Sequence, residues 1–217
     1  MIMEPQNRSF TSSKETTITV TGEGSIKASP DTVLLSLGVI TENKDLAAAQ
    51  SENAQQTTSV IDAIGKMGIP RENIQTKDYN IYPQYDYIEG KQILRGYQVN
   101  HQLAVTIRTP EITGKLIDQA VASGANTVQN IQFLVSNSEG YYQKALELAL
   151  NDATQKAKTI SASLGKDTAP TPIKIVEQSR AVAEPIPIAF AQAAKSSTPI
   201  EAGKNLITAT LLVEYKL

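Results

Sequence analysis

Residues 17–39 alternate apolar and polar side chains. Ile18 and Val20 are interleaved with Thr17, Thr19 and Thr21, and Val33, Leu35, Leu37 and Val39 with Thr32, Leu34, Ser36 and Gly38. A strand points successive side chains to opposite faces, so a period of two predicts two paired strands, each with a buried face. Between them lie Gly22-Glu23-Gly24 and Ser29-Pro30-Asp31, a composition shared by phosphate loops and by corners. A phosphate loop feeds consecutive backbone N–H groups into a helix N-terminus. Here the glycines open onto another strand, so the pattern predicts a corner, with Asp31 serving the turn.

The period then changes. In residues 41–68, Leu46, Ala49, Asn53, Ala54, Thr57, Ile61, Ile64 and Met67 recur every three or four positions. This predicts a helix with Asn43 as its cap and Gly68 and Pro70 as its stop. The stripe is thin and rich in Ala and Thr, which suits a helix laid on a sheet with much of its surface wet. Residues 74–108 return to strand in two long runs around Glu89-Gly90-Lys91, predicting a long antiparallel hairpin. Thr109 and Pro110 open a second helix that buries Ile112, Leu116, Ile117, Ala120 and Val121 and ends at Gly124. A short strand follows through Val128, Ile131, Phe133 and Val135. From Ser138 and Glu139 the strongest helical pattern places Ala145, Ala149, Ala153, Ala157, Ile160 and Leu164 on one face, with Gly165 as the stop.

Strands at 172–178 and 206–217 complete the chain. The segment between them, within 180–204, is too long and too rich in Pro, Ala and Ser for a tight hairpin. It reads as a mobile loop or as an arm whose Ile186, Ile188 and Phe190 dock on a neighbour. These elements predict an α+β fold, a mainly antiparallel sheet of about seven strands covered by three helices. That domain spans 16–217, after a polar, Ser/Thr-rich start (1–15) expected to be disordered.

Four pieces of sequence carry a family resemblance: the stretch 20–39, Tyr82-Pro83-Gln84-Tyr85, Gly96-Tyr97-Gln98-Val99, and the helical run from Ala149 to Ala157. With Pro199-Ile200-Glu201-Ala202-Gly203 before the last strand, their order and spacing resemble the SIMPL-domain family of bacterial proteins from about Thr16 to Leu217. The resemblance implies an α+β fold, export to the periplasm or cell envelope, a role in oxidative or envelope stress, and homo-oligomers that include ring-like or channel-like forms. It brings no catalytic residues. The start, MIMEPQNRSFTSSKE, lacks the apolar centre of a signal peptide, in which this sequence departs from the usual exported member.

Composition narrows the chemistry. The 217 residues include no Cys, which removes disulfides, thiol nucleophiles and cysteine-ligated zinc. A net charge of -2 with both signs scattered offers no basic stripe, so nucleic acid is not an expected partner. No apolar run approaches the roughly 20 residues of a membrane-crossing helix, and three amphipathic helices have no natural place in a membrane barrel. His101 is the lone histidine, and in VNHQLAVTI it shares a strand face with Val99 and Leu103, the setting of a structural histidine. Glu23, Asp31, Asp78, Asp86, Glu111 and Asp152 are dispersed, and spacing selects no pair for acid–base work. Asp152 stands four residues before Lys156, as in a helical ion pair.

The sequence therefore selects no catalytic, cofactor-binding or metal-ligating set. Five of the eight tyrosines, Tyr79, Tyr82, Tyr85, Tyr87 and Tyr97, fall in the hairpin. Pro83 would break a central ladder, so this segment reads as an edge or bulged strand. Tyr82, Tyr85 and Tyr87, with Ile186, Ile188 and Phe190 of the arm, are the candidate interaction residues. The reading is a self-associating envelope protein without enzymatic activity; the alternative is a hydrolase using carboxylates or His101.

Overall fold

The computed structural model describes residues 16–166, 169–182 and 198–217. They form strands β1 (Thr17–Ala28), β2 (Thr32–Asn43), β3 (Ile74–Ile88), β4 (Lys91–Ile107), β5 (Thr127–Leu134), β6 (Thr171–Val182) and β7 (Asn205–Lys216), with helices α1 (Leu46–Lys66), α2 (Thr113–Ala122) and α3 (Ser138–Ser163). Ile186, Ile188 and Phe190 lie outside the described residues. The α+β composition of seven strands and three helices is as the periodicity predicts, but the strands divide between two sheets, in orders β1-β7-β6 and β3-β4-β2-β5. The expected pairing of β1 with β2 is overturned: alternation specifies a strand and its buried face but not its neighbour. The described residues divide into two compact units, one comprising 16–26, 139–166, 169–182 and 207–217, the other 27–138 and 198–206.

In the second unit β2 is central and runs antiparallel to both β4 and β5. Val33, Leu35, Leu37 and Val39 are all buried, as their alternation predicts, while Ser36 and Gly38 between them are buried too. They meet Leu103, Val105 and Ile107 of β4 and a layer from the helices, including Val60, Ile64, Leu116 and Ala120. Asn53, the polar member of the α1 stripe, is fully buried and donates through Nδ2 to the carbonyls of Val39 (3.0 Å) and Val99 (3.2 Å). One buried amide thus ties α1 to two strands and satisfies its own donors. The α1 cap is Asp45, whose carboxylate accepts from Ala48 N–H at 2.8 Å. Asn43, the expected cap, instead accepts from Asp45 N–H at 3.1 Å and shapes the approach to the helix. Pro110 opens a short 3-10 turn before α2, and Thr109 makes no side-chain cap bond. Val121, expected in the stripe, is exposed at the stripe's margin.

In the first unit α3 buries Ala145, Ala149, Ala153 and Ala157, and β7 buries Ile207, Ala209, Leu211, Val213 and Tyr215 on alternate positions. Ile160 and Leu164, expected on the α3 stripe, are exposed, because past Ala157 only Ser161 remains buried. The glycines of the opening motif are not a corner. Both lie inside β1, where a Cβ on Gly22 would stand 2.0 Å from the Ala149 carbonyl oxygen and one on Gly24 2.0 Å from that of Ala145. Gly in the strand and Ala on the helix bring the two backbones together more closely than larger side chains permit.

Candidate functional site

The β3–β4 hairpin turns at Glu89 and Gly90, whose φ values of 52° and 78° match the two left-handed positions of a type I′ turn. Beyond the turn the strands pair as Tyr85 with Leu94, Asp86 with Ile93 and Tyr87 with Gln92. Only β4 pairs with β3, so β3 is a sheet edge, as Pro83 requires. On β4 every residue from Lys91 to Arg95 is exposed, and burial begins at Gly96 and Val99. Among the described residues the outer half of the hairpin therefore carries large apolar side chains with no covering layer: Tyr87 is 75% exposed, and Tyr82, Tyr85, Ile88, Ile93 and Leu94 are each about half exposed.

At the base of this outer half the ladder slips by one residue, passing from Gln84–Gly96 to Tyr85–Leu94 and leaving Arg95 without a partner. This is a β-bulge, which bends a strand and re-aims one side chain. Arg95 reaches Glu42 at 3.2 Å, while Glu42 also accepts from Gln98 Nε2 at 2.7 Å. Gly96 is required by close approach, since a Cβ there would lie 2.6 Å from the Asn43 carbonyl oxygen. A shallow notch of about 350 Å³ beside the bulge is lined by Lys44, Gln84, Arg95 and Tyr97 among others.

His101 faces the helix side of the sheet. Its Nε2 is 3.0 Å from Thr76 Oγ1, and Tyr79 packs edge-on at 5.1 Å. Burial pushes its pKa down, and no carboxylate is among these contacts. The carboxylates whose pKa moves are each tied to a structural partner. The Ser136 hydroxyl and N–H hold Asp31 below its ordinary value, those of Thr198 do so for Asp118, and the Lys156 ammonium and Glu23 N–H for Asp152. A general acid at neutral pH needs the opposite shift. Among the described residues no three of His, Asp and Glu are grouped to hold a metal ion, and no helix is long and apolar enough to cross a membrane.

Asp152 and Lys156 form the predicted ion pair at 2.7 Å, and they do more. Asp152 accepts from Glu23 N–H at 2.9 Å and Lys156 donates to the Thr21 carbonyl at 2.9 Å, so the pair clasps the main chain of β1. Sequence spacing gave no sign of those long-range bonds. The Arg95–Gly96 bulge did leave a signal, a glycine inside a strand pattern. The exposed Ile173, Ile175 and Val176 on β6, also a sheet edge, were legible only as strand residues.

Residues 18–215 match the SIMPL family, described as "Protein of unknown function (DUF541)". The chain belongs to this family. It is 32% identical over 214 residues to the "26 kDa periplasmic immunogenic protein" of Brucella melitensis, covering 92% of this chain and 84% of that one. It is 27% identical over 153 residues to "Uncharacterized protein YggE" of Escherichia coli K12, covering 70% of this chain and 62% of that protein. A YggE protein from Edwardsiella ictaluri is 27% identical over 154 residues, covering 70% of this chain and 64% of its own length. None of these SIMPL relatives carries a name that indicates an enzymatic activity.

Proposed function

We propose that this SIMPL protein acts in the periplasm or cell envelope by self-association rather than by catalysis, forming a ring-like or channel-like assembly that contributes to oxidative or envelope stress resistance. The observation that carries the association is the uncovered outer half of the β3–β4 hairpin. Its side chains alternate between the two faces of the hairpin, Tyr85, Tyr87 and Leu94 on one and Tyr82, Ile88 and Ile93 on the other, so each face presents three large exposed apolar or aromatic residues. An unpaired edge strand adds main-chain donors and acceptors to that surface. Association of the arm residues Ile186, Ile188 and Phe190 with a neighbour belongs to the same reading.

The envelope location is carried over from the Brucella relative, whose name calls it periplasmic. A hydrolase on His101 gains nothing from Thr76 and Tyr79 as its neighbours. The test is light scattering of the purified chain over a hundredfold concentration range, beside fractionation of cells producing the native protein. The expected results are a mass of several chains and recovery in the periplasmic or envelope fraction. A monomer throughout, or recovery in the cytosol, contradicts the proposal.

A further inference from the structure

Four strands form the sheet edges: β1 and β6 in one sheet, β3 and β5 in the other. On β1 the main chain at Thr21 and Glu23 is already engaged by Lys156 and Asp152. On β5 the exposed apolar residues are Val128 and Leu134, at opposite ends of the strand. Clustered exposed apolar residues occur on β3, at Tyr85, Tyr87 and Ile88, and on β6, at Ile173, Ile175 and Val176. Each edge also carries a charge with no ion-pair partner among the described residues, Asp86 on β3 and Lys174 on β6.

Resting on the self-association reading, we propose that the β3 edge of one copy pairs antiparallel with the β6 edge of a second copy, with Asp86 opposite Lys174. That register places Tyr85 against Ile175 and Gln84 against Val176, and brings Tyr87 to Ile173 at the bulge in β6. Aromatic residues opposite β-branched ones and opposite charges face to face are the favourable cross-strand pairs. The two central pairs, Tyr85 with Ile175 and Asp86 with Lys174, fall where both strands pair without interruption in their own sheets, and the ladder meets the β3 irregularity at Gln84 and the β6 bulge at Ile173 on either side. Pro83, which has no N–H to give, would end the ladder opposite Glu177, whose carboxylate already accepts the Tyr142 hydroxyl. Pairing two β3 edges about Tyr82 would instead set Asp78 against Asp86, like charges opposite each other. Because β3 and β6 are different surfaces, the contact is heterologous and repeats head to tail.

The chain contains no Cys, so introduced cysteines report without background. Three variants of the full chain are compared under mild oxidation: Asp86→Cys, Lys174→Cys and the two combined. Circular dichroism checks the fold and light scattering the mass before oxidation. The expected result is that the combined variant gives a ladder of disulfide-linked dimers, trimers and higher species on a non-reducing gel while each single variant stays unlinked. A single variant that cross-links with itself overturns the proposal, as does a combined variant that stays unlinked while scattering still reports an assembly. Wild-type chain that is monomeric at every concentration removes the self-association reading itself. In an independent arm, Asp86→Lys is expected to weaken association about tenfold and addition of Lys174→Asp to restore it; a double reversal no better than the single one overturns the register.

Discussion

Gly24 shows how one residue fixes a packing distance. A Cβ there would lie 2.0 Å from the Ala145 carbonyl oxygen and 2.6 Å from the Ala149 nitrogen, both backbone atoms that cannot swing aside. Gly24→Ala is expected to destabilise the chain by about 3 kcal/mol, the upper range for overpacking. Gly65, in the last turn of α1, has nothing within 4 Å of the same atom, and Gly65→Ala is expected to stabilise by about 0.5–1 kcal/mol. Urea unfolding compares the two, and a Gly24→Ala midpoint equal to wild type would refute the packing argument. At the same scale, His101 is half-buried and its pKa lies below the ordinary 6.5. The folded chain then binds fewer protons than the unfolded chain as pH drops through 6.5, so stability complete above that value is lost on the way down to the folded pKa. Asp31 and Asp152, with pKa values below 3.8, add a second loss only at lower pH, as protons displace their hydrogen bonds. His101→Gln is expected to flatten the unfolding midpoint as pH falls from neutral through 6.5 and to leave the more acidic fall in place; a wild-type slope in the variant would contradict this.

At the scale of elements, periodicity located the strands and helices because it depends only on which side chains a neighbouring layer buries. The β2 alternation and the alanine stripe of α3 read directly. Pairing partners did not: β1 and β2 both show a period of two, yet join different sheets. Nor did side chains that act across long sequence separations, such as Asp152 on Glu23 N–H, because spacing within a helix records only local contacts. Asp31 is similar, for it serves Ser136 at 2.9 Å as well as its own turn. The hairpin was legible through its turn residues and Pro83, whereas the bulge needed the register to show which residue was left over. The Asp152–Lys156 clasp yields a prediction here. Asp152→Ala removes a charge-assisted bond to β1 and leaves Lys156 with the Thr21 carbonyl alone, and both side chains are partly exposed, so the cost is expected to be about 1 kcal/mol. A double-mutant cycle with Lys156→Ala, followed by urea unfolding, should show coupling; strictly additive losses would mean that the two side chains hold β1 independently.

For the whole molecule, the first unit packs its sheet with α3 and the second with α1 and α2, and function is read from the surface those layers leave bare. The covered parts of both units are built as small cores usually are, with alternating strands and helices lined by small or apolar residues. The outer hairpin departs from that rule, since six large apolar residues lie exposed on it. A sequence that places such residues at an unpaired edge carries an aggregation liability unless a specific partner covers them. That claim is tested most directly by sedimentation equilibrium of the wild-type chain and of Tyr82→Ser/Tyr85→Ser/Tyr87→Ser at equal concentrations. The expected result is a wild-type mass of several chains, and a variant that remains folded by circular dichroism but has a mass approaching the single-chain 23.4 kDa. A folded variant with the wild-type mass would contradict the assignment of the hairpin as the joining surface.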